Sequence, residues 1–215
     1  MACRAVEKGY KALEEIKSAG IQGSASVIQL DVADDASIAA AVKAVEQQFG
    51  RVDVFVSNAG IAATGSTGRE RLNRIFETNV IGAMLVSEAF VPLLLKSQRP
   101  YLIQVSSGLG SLALASDPDS PYYASPWDEY RMSKAALNML TIQQHKRLQG
   151  QNVRVFAFCP GLVRSRLRGE SEEEMSAWGN AGDPMIPAKG ILDMIEGKRE
   201  TEVGKFINTS GTNLW

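Results

Sequence analysis

The chain has 215 residues, of which 45% are hydrophobic, 22% charged and 7% aromatic, and this is the balance of a soluble globular protein. Its 23 Lys and Arg residues are matched by 24 Asp and Glu residues, giving a net charge of −1. The sequence therefore lacks the bulk basic field that would bind nucleic acid or an anionic membrane surface. The length favours a single domain over residues 1–215.

Few residues are available for metal or disulfide chemistry. Cys3 and Cys159 are far apart in the sequence, and His145 is the only histidine. This usage excludes a disulfide framework and a zinc site built on several histidines, and it suits a reducing compartment. The sequence has no long uninterrupted apolar run and no apolar signal region after Met1, so we expect a cytoplasmic protein without a membrane span.

Segments with helical and strand-like patterns alternate along the chain. The apolar spacing predicts helices over 5–19, 35–49, 69–97, 127–148, 171–178 and 187–196. Short apolar runs predict strands over 27–30, 52–57, 101–105, 153–158 and 204–207, and a polar loop covers about 114–126. Right-handed crossovers then place the strands in one doubly wound parallel sheet, so we expect an α/β fold.

Polar or glycine-rich residues follow four of the predicted strands. They are Asp31, the Asn58-Ala59-Gly60 segment, Ser107 and the Pro160-Gly161 pair. Ligands of doubly wound sheets bind outside the carboxyl ends of the strands. The sequence therefore predicts one binding site formed by these four strand ends.

Tyr130 and Lys134 are four residues apart on a predicted helix, so they share a face. A phenol normally titrates near pH ~10, and a neighbouring ammonium group lowers that pKa. We expect such a pair to give or take a proton under mild conditions. A Tyr-x-x-x-Lys pair also occurs by chance on many helix surfaces, and that alternative stays open from the pair alone.

Two further polar residues are candidates for the same chemistry. The Ser107 hydroxyl can donate a hydrogen bond to a substrate carbonyl, or it can make local backbone bonds in its Ser-Ser-Gly turn. Asn79 lies inside a predicted helix, where asparagine is unfavourable. It either binds a water molecule, distorts the helix or is simply exposed.

Together these motifs resemble, in their order, the short-chain dehydrogenase/reductase family. The matching motifs are Asn-Ala-Gly at 58–60, Asn79, Ser107, Tyr-x-x-x-Lys at 130–134 and Pro-Gly at 160–161. The resemblance extends from residue 2 to about residue 204. The interval from Ser107 to Tyr130 is longer than usual in the family and is similar to that of its carbonyl-reductase-like branch.

The resemblance implies a Rossmann-like fold and NADP(H)-dependent oxidoreduction of a carbonyl or secondary alcohol on a small organic molecule. It implies that Tyr130 is the general acid or base, and that Lys134 lowers its pKa and holds the nicotinamide ribose. Ser107 would orient the carbonyl oxygen, and Asn79 would anchor a water molecule of a proton relay. It also implies a homodimer or homotetramer through the helices at 69–97 and 127–148.

The resemblance also assigns residues to the cofactor. Asp31 and Val32 are expected near the adenine. Asn58, Ala59 and Gly60 are expected near the adenosine. The residues expected near the nicotinamide are Pro160, Gly161, Val163 and Ser165. Arg4 matches the end of a strand where a basic side chain selects NADP through its 2′-phosphate. The alternative is a solvated arginine near the chain terminus.

The sequence departs from the family pattern at its start. The family begins with a strand and a Thr-Gly-x-x-x-Gly-x-Gly turn that binds the pyrophosphate, and this sequence has neither. The lacking strand would be central, so the strand at 52–57 loses a neighbour. We expect weak or absent NADP affinity. The chain is either a fragment or mis-started product of a full enzyme, or a truncated, non-catalytic homologue with a binding or regulatory role.

The region 164–186 is expected to cap the substrate. It contains the acidic run 170–174, which we interpret as a solvated helix N-terminus rather than a metal site. Met175, Trp178 and Met185 form either an apolar lid or ordinary packing contacts. No specificity code for the substrate is readable in this region.

Overall fold

Parallel strands and helices alternate along the chain in a computed structural model that describes residues 1–62 and 67–215. The strands are β1 (Ala2–Cys3), β2 (Ile28–Gln29), β3 (Val54–Ser57), β4 (Tyr101–Val105), β5 (Arg154–Phe158) and β6 (Phe206–Ile207). The helices are α1 (Val6–Ser18), α2 (Asp35–Phe49), α3 (Gly68–Phe76), α4 (Ala83–Leu94), α5 (Leu112–Ser116), α6 (Asp128–Leu148), α7 (Glu172–Met175) and α8 (Met185–Ile195). The α/β fold class is confirmed.

The described strands form two separate parallel sheets rather than the single sheet that the crossovers predicted. β1 pairs with β2, whereas the other strands follow the order β3-β4-β5-β6. No described pairing joins β1 to β3. The division falls where the sequence predicted a missing central strand, because neither neighbour has a partner there to hydrogen-bond.

The core lies on both faces of the four-stranded sheet. Successive residues of β4 point to opposite faces, as the two-residue period of a strand requires. Tyr101 and Ile103 pack with Phe156, Phe158 and Met194 of α8 on one face. On the other face the packed side chains are Leu94, Leu102, Leu148, Val153 and Val155. Helices on both faces of a parallel sheet make the arrangement doubly wound.

α3 and α4 form one continuous helix interrupted by a π-helical turn over Glu77–Gly82. The sequence predicted an uninterrupted helix over 69–97. By length and composition alone, the helix Gly68–Leu94 could span a membrane. In the fold it packs against α2, β3 and α6, so it serves as a core helix of the domain.

Smaller differences from the predicted elements have local causes. The loop predicted over 114–126 begins later than expected, because the Ser111 hydroxyl accepts from the Leu114 amide and caps α5. The helix predicted over 171–178 is limited to α7, which opens with a capping box between Ser171 and Glu174.

Candidate active site

The carboxyl ends of the parallel strands open into two cavities that meet at Asn58 and Gly60. One, of about 550 Å³, is lined by Ser107, Tyr130 and Lys134, and we call it the Tyr130 cavity. The other, of about 860 Å³, lies between β1 and β3 and is called the Asp31 cavity after Asp31, which lines it. The four predicted strand ends therefore meet around connected space, as the sequence indicated.

Tyr130 and Lys134 lie on one face of α6, and both side chains are buried, with 7% and 4% exposure. The Lys134 ammonium is 5.7 Å from the centre of the Tyr130 ring. It donates a hydrogen bond of 2.8 Å to the Val105 carbonyl at the end of β4. The pair is therefore part of the cavity wall, and the surface-exposed alternative is wrong.

The pKa of the phenol differs from the sequence-based expectation. Burial raises the pKa of Tyr130 to about 12, and the opposing effect of the Ser107 hydroxyl as a hydrogen-bond partner is smaller. Burial also lowers the pKa of Lys134 to about 8. The expected net lowering of the Tyr130 pKa is wrong for this structure, because burial raises the pKa by more than neighbouring groups lower it, and the Lys134 ammonium is directed at the Val105 carbonyl. The phenol remains protonated at neutral pH and is suited to donate a proton.

Asn79 occupies the π-helical turn and is fully buried. Its Oδ1 accepts from the Ile61 amide at 2.8 Å, and its Nδ2 donates to the Ile61 carbonyl at 2.8 Å. Nδ2 also donates to the Ser133 hydroxyl at 3.0 Å. Of the alternatives for Asn79, the helix distortion is observed and exposure is wrong. The residue joins the loop after β3 to α6.

The loop after β4 brings Ser107 to the cavity. Its hydroxyl accepts from the Leu109 amide at 3.2 Å, so the local turn contact also exists. At Gly110, an added Cβ would lie 2.6 Å from the Lys134 carbonyl carbon. Only glycine allows this loop to press so closely against α6. The close contact sets Ser107 beside Tyr130.

Two residues that the sequence analysis did not assign to the site hold its loops. Cys159 is buried, and its Sγ accepts from the Gly108 amide at 3.0 Å and the Gly161 amide at 3.4 Å. Asn138, one turn beyond Lys134, accepts from the Ser106 hydroxyl at 2.5 Å and donates to the Gly110 carbonyl at 3.2 Å. The i+4 spacing from Lys134 was the available signal for Asn138.

Comparison with known proteins agrees with this geometry. The sequence pattern of the short chain dehydrogenase family matches residues 1–176. The chain belongs to this family.

Its relatives include the short-chain dehydrogenase/reductase tropE of Talaromyces stipitatus, 35% identical over 86% of this chain and 74% of that protein. The short-chain dehydrogenase anuI of Penicillium roqueforti is 32% identical over 99% of this chain and 84% of that protein. Among solved structures, the NADPH-bound carbonyl reductase from chicken fatty liver has a TM-score of 0.80 and 28% identity. The match covers 100% of this chain and 86% of the carbonyl reductase chain.

All the residues of this chain that the sequence analysis predicted to contact the cofactor line one or both of the two cavities. The Asp31 cavity is bordered by Arg4, Asp31, Val32, Asn58, Ala59 and Gly60. The Tyr130 cavity is bordered by Asn58, Gly60, Tyr130, Lys134, Pro160, Gly161, Val163 and Ser165. A Cβ at Gly60 would lie 3.4 Å from Asn79 Oδ1 and 3.6 Å from Lys134 Nζ, so a larger residue there would fill the junction.

Residues of the region 164–186 line the Tyr130 cavity, but Met175, Trp178 and Met185, which the sequence analysis considered as a lid, are not among them. Trp178 and Met185 are 70% and 69% exposed, and neither they nor Met175 border the cavity. The lid interpretation of these three side chains is wrong in this structure. Arginines and Pro184 border it instead.

Within residues 1–62 and 67–215, no group of three or more His, Cys, Asp or Glu residues could hold a metal ion. Glutamates of the acidic run at 170–174 instead make ion pairs and a helix cap, and Glu170 pairs with Lys8 of α1. Glu172 pairs with Arg164, and Glu174 accepts from the Ser171 amide.

Proposed function

We propose that the chain is an NADP(H)-dependent oxidoreductase that reduces a carbonyl, or oxidises a secondary alcohol, on a small organic molecule. The observation that carries the proposal is the meeting of Ser107, Tyr130 and Lys134 at one cavity. Support for NADP comes from Arg4, which is exposed at the Asp31 cavity, and from the similar carbonyl reductase that binds NADPH. A 2′-phosphate is the group that an arginine at this position selects.

In the reducing direction, Tyr130 donates its phenolic proton to the substrate's carbonyl oxygen. Ser107 donates a hydrogen bond to the same oxygen and so holds it against the phenol. A nicotinamide cofactor held at this cavity would supply the hydride for the carbonyl carbon, and the proton donated by Tyr130 would complete the alcohol and leave a tyrosinate. Lys134 carries its charge below pH about 8, and that charge stabilises the tyrosinate.

The residues present fit the two ends of the cofactor differently. Tyr130, Lys134 and Asn58 surround a cavity that suits the nicotinamide ribose, and Asp31 and Arg4 border one that suits adenosine. Between these ends the sequence offers no glycine-rich turn for the pyrophosphate. We therefore propose that this chain binds NADP(H) weakly, and fluorescence titration with NADPH tests it. Tight binding would contradict this part of the proposal.

Turnover of NADPH with a panel of ketones and aldehydes tests the activity itself. We expect Tyr130→Phe to lower kcat/KM by about 10²–10⁴, because it removes the general acid. Tyr123→Phe is the matched control, since Tyr123 is 52% exposed and does not border the cavity. A Tyr130→Phe protein with full activity would overturn the mechanism.

A second candidate is a binding or regulatory protein without turnover. The divided sheet and the roomy Asp31 cavity favour it, because they loosen the region that would hold adenosine. Binding of NADPH with no turnover of any carbonyl, in the unaltered chain, would select this candidate over the enzyme.

We also propose a homodimer or homotetramer in the cytoplasm. α6 exposes Met132 and Met139, at 53% and 56%, and the adjoining helix α4 exposes Met84 at 46%. Apolar side chains on two long helices are suited to a contact between copies. Light scattering should show an assembly that Met139→Lys dissociates.

Cys3 and Cys159 are both free thiols, as suits the proposed cytoplasmic, reducing compartment.

A further inference from the structure

The charged side chains that border the Tyr130 cavity are all cationic. They are Lys134, Arg164, Arg166 and Arg168, and no Asp or Glu is found among the described residues of the lining. The chain as a whole has a net charge of −1, so this is a local concentration of positive charge. A cavity lined by one sign of charge raises the local concentration of ligands of the opposite sign.

Among the described residues, only Arg164 of the three arginines has an acidic partner that neutralises it. Arg164 Nη1 and Nη2 pair with the two Glu172 oxygens at 2.5 and 2.6 Å. Arg166 is exposed and makes no side-chain hydrogen bond to a described residue. Its guanidinium is therefore free to bind a ligand at the cavity edge.

Arg168 is held in place without losing its charge. Its Nε donates to the Glu174 carbonyl, and its Nη2 donates to the carbonyls of Val163 and Met175, each at 2.9 Å. Nη1 makes no hydrogen bond to any described residue. The guanidinium is close enough to Tyr130 to oppose, by its charge, the rise in the pKa of the phenol. A fixed, half-buried cation thus lies beside the proton donor.

We propose that the substrate of this site carries a carboxylate, which Arg166 and Arg168 bind while its carbonyl lies against Tyr130 and Ser107. The proposal rests on the proposed function and names its substrate class. Arginine suits this role because its planar fork makes strong paired hydrogen bonds to carboxylates. Leu167, Pro187 and Ile191 add an apolar part to the wall, which suits the body of a small oxo acid.

A phosphate of the cofactor is the competing source of negative charge. Arg166 and Arg168 follow the Pro160-Gly161 turn, so a bound nucleotide also passes within reach of this part of the chain. The two sources predict different losses when an arginine is removed. Loss of a substrate contact affects only charged substrates, whereas loss of a phosphate contact affects NADPH itself.

The test compares para-acetylbenzoate with its neutral methyl ester, which present the same ketone. In the unaltered chain we expect kcat/KM for the acid to exceed that for the ester by about tenfold or more. Arg166→Gln should reduce this ratio about tenfold, with an unchanged Kd for NADPH. Arg147→Gln is the matched control, because Arg147 pairs with Glu88 on the surface and does not border the cavity.

Equal kcat/KM for acid and ester in the unaltered chain would overturn the proposal. So would an Arg166→Gln protein that binds NADPH less tightly and keeps the ratio. Calorimetry of para-acetylbenzoate with the cofactor-free chain separates this proposal from the proposed function, because it needs no turnover. Binding that weakens with salt and with Arg166→Gln supports the carboxylate site even where no ketone is reduced, and absence of binding contradicts it.

A second variant separates charge from position. Arg168→Lys keeps a cation but loses the fork that joins three carbonyls. We expect the acid to remain preferred over the ester, at a reduced ratio, and the melting temperature to fall. An unchanged ratio in both Arg166→Gln and Arg168→Lys would show that neither arginine contacts the substrate.

Discussion

The two sheets of this molecule differ in how firmly they hold what lies on them. In the four-stranded sheet, β4 and β5 pair over five residues, and Leu102, Val155 and Phe156 are fully buried. In the two-stranded sheet, β1 and β2 pair over two residues. The helix between them, α1, buries Gly9 and Leu13 and has no side-chain cap at its N-terminus.

This difference divides the candidate site by function. Ser107, Tyr130 and Lys134, the proposed proton-transfer residues, lie in the well-packed part, so we expect their arrangement to be rigid. Arg4 and Asp31 lie in the loosely packed part, so we expect the side that would hold adenosine to be less rigid. Elements with few buried apolar contacts open at low free energy. The proposed proton-transfer residues thus lie in a well-packed region, and the proposed adenosine-binding residues lie in a loosely packed one.

The largest effect that would sharpen this comparison is expected from Phe156→Ala. Phe156 is fully buried in β5, so its truncation should lower the free energy of unfolding by about 3–5 kcal/mol. Leu13→Ala, in α1, should cost about 2 kcal/mol or less, because its surroundings can collapse. Urea unfolding followed by tryptophan fluorescence measures both. Equal costs would show that the two parts are equally well packed.

Hydrogen exchange provides the control for this pair of variants. Amides of α1 and β2 should exchange faster than those of β4 and β5 in the unaltered chain. Leu13→Ala should speed exchange in the first group only. Uniform acceleration over the whole chain would contradict the division into two parts.

Asn79→Ala should loosen the contact between the loop after β3 and α6. It leaves the half-buried Ile61 amide and carbonyl and the buried Ser133 hydroxyl without their Asn79 partner, and an unpaired buried polar group costs about 1–3 kcal/mol. We expect a loss of about 2–3 kcal/mol in stability, together with a lower kcat. Thr141→Val is the matched control, because among the described residues the buried Thr141 hydroxyl bonds only the Leu137 carbonyl of its own helix. An equal loss in both variants would contradict a special role for Asn79.

Lys134→Met should make the protein more stable while abolishing activity. Burial lowers the pKa of Lys134 to about 8 from 10.5, so at pH 7 the folded state holds a charge that water would solvate better. Removing that charge should stabilise the protein by about 1–2 kcal/mol, after the loss of the Val105 hydrogen bond.

The pH dependence checks this cause. Between pH about 8 and 10.5 the unfolded chain holds the Lys134 proton and the folded chain does not, so folding of the unaltered protein becomes more favourable as pH rises through this window. The advantage of Lys134→Met should therefore shrink from pH 7 to pH 10. Urea unfolding at the two pH values measures it, and a constant difference would rule out the charge as its origin.

Much of the fold and of the site could be predicted from the sequence because they depend on local patterns. Strand ends marked by Asp31, Ser107 and Pro160-Gly161 located the cavities, and the helical spacing of Tyr130 and Lys134 set them on one face. Burial is different, since it depends on the whole packing. The pKa of Tyr130 is raised by burial and by Cys159, and the Asn79 side chain bonds Ile61, so both depend on residues far away in the chain.

The smallest expected effect concerns the choice between NADPH and NADH, and it tests the loosely packed part directly. Arg4 is exposed and makes no side-chain bond to a described residue, so its interaction with a 2′-phosphate would be partly screened by water. We expect Arg4→Ala to weaken NADPH binding about fivefold to tenfold and to leave NADH binding unchanged. Fluorescence titration with both nucleotides measures this, and Lys11→Ala, on the exposed face of α1, is the control for charge alone. An equal loss for NADPH and NADH would show that Arg4 supports the fold of β1 rather than the phosphate. A loss confined to NADPH would show that even the loosely packed part discriminates between the two cofactors.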